Sequence, residues 1–385
     1  MVNLKKIFLW GYYGSKNVGD DLLLSLLLDA LLQYENVKIQ IIVPQLYDEL
    51  ELDENIDYLI NPIAASSQRF KFLKNISLYI RTVKNNDLVI FGGGTSLFET
   101  DNTKYKSLLV KYIVLLINVI FFKRPILHLG VGIGNVKTSL GKFCLGKILN
   151  YSDEINLRER KSYEKALSYT KESSKVSLGN DLAYLQSFIP KIKSETYNIG
   201  MSLFQYYGYI SNEKSKADVF YENCKNVIQE MLNKDTRLHI HLFAFQKGKG
   251  GNDEDFNFKL KADLTNPRLH VHPYSSDTER FVEDIKSMDL CIGMRLHFLI
   301  LSVLHGIPII GLNYQPKIKN ELLSLGLENF CLEIDDVLTI LSFLDSFIED
   351  RDFFYLMYAD SFNEVKSKNN QASNILSSLL SSYLQ

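Results

Sequence analysis

The stretch Met288 to Lys317, MDLCIGMRLHFLILSVLHGIPIIGLNYQPK, constrains the fold most. It reads as a short buried strand, a turn carrying Arg295 and His297, an apolar helix closed at Gly306, and a second buried strand. Strands that are apolar along their whole length, joined through a helix, belong in a parallel sheet covered on both faces. The turn places two groups able to carry positive charge where a strand ends and a helix begins. Helix N-terminal amides and strand ends converge there, which makes such a junction an anion site in open α/β sheets.

The pattern recurs along the chain. Its 385 residues exceed one ordinary core, so two domains are expected. In the first half Lys5–Trp10, Val37–Val43, Asp87–Phe91, Pro125–Val131, Asp153–Leu157 and Lys175–Leu178 read as strands. Glycines gather at their ends: Gly11, Gly14 and Gly19 with Asn17 and Asp20 after the first, Gly92–Gly94 after the third, and Gly130, Gly132 and Gly134 after the fourth. Asp20 reads as the N-cap of a helix from about Leu22. A basic helix is expected over Gln68–Val83, and Ser187–Glu195 reads as a linker. The second half restarts with strands at Tyr197–Leu203, Arg237–Phe245 and Leu269–His272, and a helix over Ala217–Asn233. Gln246–Asp255 reads as a polar loop, Ser276–Glu279 as a capping box, and the chain from Leu338 as helical. The expected fold is therefore α/β, with two doubly wound Rossmann-like domains facing across a cleft, the GT-B layout. The expected divisions are 1–190, 191–345, and a helical tail 346–385.

Composition removes several function classes. A net charge of -2 argues against nucleic acid, whose binders usually show a basic balance or stripe. Cys144, Cys224, Cys291 and Cys331 are scattered, without a CxxC pair, which fits a reduced cytoplasmic setting and neither a zinc site nor a disulfide framework. His239 and His241 share a strand face but have no Cys or carboxylate at metal spacing, and His270 and His272 are read alike, so no metal is expected. The apolar run Ile7–Trp10 is too short for a signal peptide. The most apolar run, Leu108–Phe122, contains Lys111 and falls short of the roughly 20 residues that span a bilayer. It reads as a buried helix between strands, with a membrane-surface role as the second reading.

Taken in order, the pieces GYYGSKNVGDDLLL (11–24), FGGGTSLFE (91–99), GVGIG (130–134), LRERKSYE (157–164), GNDLAY (179–184) and GMRLHFLILSVLHGIPIIGLNYQPKI (293–318) resemble the polysaccharide pyruvyl transferases. The last piece is the most specific, since RLH, the GIP turn and YQPK occur together. The resemblance implies a GT-B-like enzyme with phosphoenolpyruvate as donor and no other cofactor. It would form a cyclic pyruvate ketal on a sugar of a capsule, exopolysaccharide or cell-wall glycan, and release phosphate. The implied partners are phosphoenolpyruvate and a glycan acceptor. A polyprenyl-linked acceptor would place the enzyme peripherally at the inner face of the membrane.

The resemblance also assigns roles. Arg158, Arg295 and Lys317 would hold the donor's carboxylate and phosphate, because a guanidinium fork pairs with both. His297 would be the general acid and, with Arg295, catalytic; its proton loading is expected to follow donor binding. Gly14, Asn17, Asp20, Gly93 and Gly94 would line the acceptor side, with the 191–345 domain as the donor side. Bland readings stand beside these: Arg158 in a surface ion pair with Glu154 or Glu159, Arg295 as an anchor to a carbonyl or carboxylate, Lys317 as a solvated lysine, and His305 as structural. One departure from the family pattern is that Met201-Ser202-Leu203-Phe204 lacks the arginine many members carry there. Two alternatives follow, a GT-B glycosyltransferase using a nucleotide sugar and a non-catalytic family member in polysaccharide assembly.

Overall fold

The computed structural model describes residues 4–44, 53–61, 71–99, 106–188, 197–209, 213–248 and 252–384. The chain divides into two compact units. The first takes in residues 1–15, 20–185 and 370–385, and the second takes in 16–19 and 186–369. The expected linker lies outside the described residues beyond 188.

The first unit is built on one parallel sheet. Its strands are β1 (Lys5–Trp10), β2 (Val37–Val43), β3 (Ile56–Ile60), β4 (Leu88–Gly92), β5 (Thr95–Leu97), β6 (Ile126–Ile133), β7 (Glu154–Leu157) and β8 (Val176–Leu178). The order is β3-β2-β1-β4-β6-β7-β8, with β5 paired to β6. The strand order reverses between β1 and β4, and the glycine-rich turns after both strands open at that switch point. β4 and β6 are buried along their whole length, as their unbroken apolar runs require. Sequence pattern misses β3 and β5, which are short and lack a clean apolar run.

Helices α1 (Val18–Leu32), α2 (Lys71–Asn85), α3 (Lys106–Ile117), α4 (Ser139–Tyr151) and α5 (Arg160–Tyr169) cover this sheet. α1 begins four residues before the expected Leu22. Asn17, not Asp20, caps it, with its Oδ1 accepting from Gly19 N at 3.0 Å, and Asp20 and Asp21 fall in the first turn, where the helix dipole favours them. Leu108–Phe122 is only partly the buried helix expected. α3 buries Leu108, Val110, Val114 and Leu115, but a π-helical turn, Asn118–Phe122, follows and carries Val119, Ile120 and Phe121 to the surface.

The second unit holds β9 (Tyr197–Ser202), β10 (Leu238–Phe243), β11 (Leu269–His272), β12 (Leu290–Gly293), β13 (Ile309–Asn313) and β14 (Cys331–Glu333) in the order β11-β10-β9-β12-β13-β14, all parallel. Its helices are α6 (Lys214–Lys234), α7 (Asp253–Leu264), α8 (Thr278–Lys286), α9 (Leu296–Leu304), α10 (Pro316–Ser324), α11 (Ile340–Glu349), α12 (Arg351–Leu356) and α13 (Ala359–Leu384), which runs on into residues of the first unit. Asp277, rather than the Ser276 of the expected capping box, caps α8 by accepting from Arg280 N at 3.0 Å. Both units are thus doubly wound Rossmann-like α/β folds.

In the first unit, neighbouring strands set rings of one face in a ladder. Trp10 stacks on Phe91 at 4.8 Å and Phe91 on His128 at 4.5 Å, in the register that pairs these residues. His128 is fully buried, with Nε2 2.9 Å from Ser152 Oγ. Burial, and then the Lys111 and Lys175 cations, push the imidazole down to about 3. The native state therefore keeps His128 neutral while the unfolded chain takes up a proton below about 6.5. Stability should fall as pH drops from there towards 3, by roughly 1.4 kcal/mol per unit from this residue. His128→Phe keeps the stack and removes the proton site. Urea unfolding of both proteins should show a stability gap that is pH-independent above about 6.5 and shifts in favour of the variant as pH falls; parallel curves throughout would contradict the assignment.

Candidate active site

In the second unit, β9 lies between strands that follow it on either side, so the switch point falls between β9 and β12. Ser202 at the end of β9 pairs with Gly293 at the end of β12. Two residues later the chain enters α9, with Arg295 as its N-cap and His297 at its second position. α10 follows β13 in the same way, with Pro316 first and Lys317 second. Neither helix start has a side-chain cap. Two sets of amides with the positive ends of their dipoles thus open at the C-terminal ends of adjacent strands. α9 is buried on every side except at His297, because its sequence LHFLILSVL carries no other polar residue but Ser302, whose hydroxyl donates to Phe298 O.

Arg295 is fixed tightly. Its Nε and a terminal nitrogen donate to Asp253 Oδ2 at 3.0 Å and Oδ1 at 2.5 Å, and its plane lies 4.2 Å from the centre of the Phe204 ring. Asp253 is fully buried and also accepts from the amides of Phe245 and Gln246. Burial lowers the guanidinium's proton affinity, but Asp253 and Tyr314 outweigh this and hold it above its ordinary value. Sequence reasoning misses Asp253, because it places this residue in a polar loop. It is the first residue of α7, capped by Asn252. The run Asn252-Asp253-Glu254-Asp255 ahead of an apolar-periodic stretch was the available signal.

The glycine loop contributes to this unit too. Residues 16–19 run against the end of β10: Val18 N donates to Phe245 O at 2.9 Å, Lys247 N to Lys16 O at 3.0 Å, and Asn17 bridges Gln246. Gly19 abuts the His297 ring so closely that a Cβ there would lie 1.9 Å from Nδ1. Only glycine permits that approach. Lys317 is half-buried and makes no hydrogen bond or ion pair among the described residues. Ser202 Oγ, at the place of the absent arginine, is buried and has no hydrogen-bond partner there either.

The other expected site residues lie in the first unit. Arg158 does not pair with Glu154 or Glu159. Its side chain is buried, donating to Asp181 Oδ2 at 2.6 Å and Thr95 Oγ1 at 2.8 Å, and it packs beside Gly132. Gly93 and Gly94 adopt φ of +60° and +67°, which turns the chain sharply at the end of β4. Gly94 faces Asp20 Oδ1, and Gly14 N donates to Asp21 Oδ1. Tyr13 donates to Gly92 O at 2.7 Å, and burial with the Asp20 charge drives its phenol far up. The structure therefore groups Gly14, Asp20, Gly93 and Gly94 in one unit, and Asn17 with His297 in the other.

The Arg295–Asp253 pair generates a stability prediction. Asp253→Asn leaves a buried guanidinium uncompensated and should cost about 3–5 kcal/mol in urea unfolding. Combining it with Arg295→Met should recover most of that loss; a double variant as unstable as the single one would deny the pairing.

A sequence profile for polysaccharide pyruvyl transferase matches residues 17–316. No curated protein matches the chain. Among solved structures, it is similar to a UDP-GlcNAc 2-epimerase from Neisseria meningitidis bound to UDP-GlcNAc (TM-score 0.61, 13% identity, 98% of this chain and 100% of that one). It is also similar to Anabaena Alr3699/HepE in complex with UDP and glucose (TM-score 0.60, 13% identity, 98% and 100%) and to S. aureus MnaA with UDP (TM-score 0.60, 12% identity, 94% and 94%). At such identities the likeness is one of fold, two Rossmann-like domains of GT-B type. The profile spans most of the chain, from the glycine loop through the Arg295–His297 junction to the start of α10, and the chain belongs to the polysaccharide pyruvyl transferase family.

Proposed function

We propose that this family member transfers pyruvate from phosphoenolpyruvate to two hydroxyls of a glycan sugar as a cyclic ketal. The observation that carries the reading is the pair of uncapped helix starts holding His297 and Lys317 beside each other in strand order, the first suited to acid–base work and the second a cation with no ion pair among the described residues. Phosphoenolpyruvate brings a carboxylate and a phosphate on a three-carbon frame. The amides of α9 and α10 and the Lys317 ammonium offset that charge. Arg295 already serves a carboxylate, so its part in this reading is to hold the junction rigid and orient the donor from behind. Arg158, in the first unit, is likewise committed to a carboxylate, that of Asp181.

His297 gives its proton to the methylene carbon of the donor, which becomes a methyl group while the central carbon turns electrophilic. One sugar hydroxyl attacks that carbon and returns its proton to His297. The bond to phosphate then breaks, the second hydroxyl closes the ring, and its proton leaves with the phosphate. Gly19 keeps space for the imidazole, and Asn17, in the same unit, supplies an acceptor contact in this reading.

A second reading is transfer from a nucleotide sugar, favoured by the UDP-bound structures of the same fold. It assigns no task to a proton donor beside a small-anion site. Phosphate release from phosphoenolpyruvate, measured with a glycan acceptor, separates the two. His297→Ala is expected to remove release while leaving the melting temperature within a few degrees. Lys317→Ala should raise KM for phosphoenolpyruvate about tenfold or more, with a smaller effect on kcat. Gly19→Ala should act like the His297 variant, since the added methyl displaces the ring. Near-normal release in His297→Ala would remove the general acid from the scheme.

A further inference from the structure

The outer layer of the first unit is chemically one-sided. Helices α2, α3 and α4 pack side by side, and their inner faces, with Ile76, Val83, Val114 and Ile148, join one hydrophobic core. Their outer faces carry large apolar side chains in the open. Phe121 is 71% exposed, Ile120 55%, Leu73 62% and Phe143 48%. The sequence of these elements, 71–85, 106–124 and 139–151, contains no Asp or Glu at all. It does contain exposed Lys74, Arg81, Lys84, Lys123, Lys142 and Lys147, in a chain whose net charge is -2. Of the acidic groups around these elements, Asp87 pairs with Arg124, Glu99 accepts from the Thr138 hydroxyl and from the amides of Lys137 and Thr138, and Asp153 accepts from Ile126 N; Glu172 lines the same surface as Lys142 and Lys147, where Lys171 and Lys175 outnumber it.

We propose that this face seats the protein on an anionic lipid bilayer. Exposed aromatic and aliphatic tips ringed by lysines are what an interfacial surface needs: the rings enter the headgroup–acyl boundary while the ammonium groups meet lipid phosphates. Val119, Ile120 and Phe121 are all exposed on the π-helical turn Asn118–Phe122, which closes α3 at this surface. No helix among the described residues is long and apolar enough to cross a membrane, so the contact is peripheral. A cationic rim selects a negatively charged lipid surface over a neutral one, and over a second copy of this chain, whose equivalent face carries the same charge. The inference stands on the outer layer alone and not on the donor chemistry.

Sedimentation of the full-length protein with vesicles tests it. Partition into equimolar phosphatidylglycerol–phosphatidylcholine vesicles should exceed that into pure phosphatidylcholine by about tenfold or more, and should fall steeply at about 0.5 M salt. Ile120→Ser with Phe121→Ser, and separately Lys142→Glu with Lys147→Glu, should each reduce partition by about tenfold at an unchanged melting temperature. All four positions are exposed, so the fold is not at stake. Absence of partition, equal partition into both vesicle types, or variants that bind like wild type would overturn the proposal. So would a dimer in light scattering that the Ile120/Phe121 variant converts to monomer, which would make the face a homotypic interface.

Discussion

The strand–helix junction of the second unit is held by a buried ion pair. Asp253 enters the interior fully desolvated, and Arg295 meets it with a two-toothed fork. The pair links the start of α7 to the end of β12, while Asp253 also ties down the amides after β10. The end of β10 is in turn where residues 16–19 dock. A single carboxylate therefore sets the position of the strand–helix junction and of the loop that brings Gly19 against His297. Removing either charge alone leaves the other stranded, so the arrangement behaves as a unit.

This changes what an arginine at a strand end means. From sequence, Arg295 and Arg158 suit a donor anion, with an anchor to a carbonyl or carboxylate as the other reading of Arg295 and a surface ion pair as that of Arg158. In the structure each is spoken for by a buried aspartate, Asp253 and Asp181. A neutralised guanidinium still orients its remaining N–H groups, but it contributes less field to any anion bound nearby. In the proposed reading Lys317 and the helix amides therefore carry the larger part of anion binding, and the missing arginine near Ser202 weighs less.

Much of the fold was legible because parallel strands buried on both faces leave unbroken apolar runs, as β4, β6, β12 and β13 do. β3, β5 and β14 were not, since two are three residues long and β3 is half-exposed. The start of α1 was misplaced because Asp20 and Asn17 both suit a cap, and only the hydrogen bond to Gly19 distinguishes them. His297 and Lys317 could be found by pattern, since each follows a buried strand. Asp253 could not be paired with Arg295, because forty-two positions separate them and nothing local marks the partner. The exposed tip of Leu108–Phe122 is hidden for a different reason: composition shows an apolar run, but not where along it the chain leaves the core, which is in the π turn Asn118–Phe122.

The central claim is that the junction carrying His297 and Lys317 recognises phosphoenolpyruvate. Thermal unfolding of the full-length protein with phosphoenolpyruvate, and in parallel with UDP-N-acetylglucosamine and UDP-glucose, tests it most directly. A ligand that binds only the native state raises the melting temperature by mass action. The account predicts a concentration-dependent rise with phosphoenolpyruvate that is lost in Lys317→Ala, and no rise with either nucleotide sugar. A rise with a nucleotide sugar and none with phosphoenolpyruvate would contradict it.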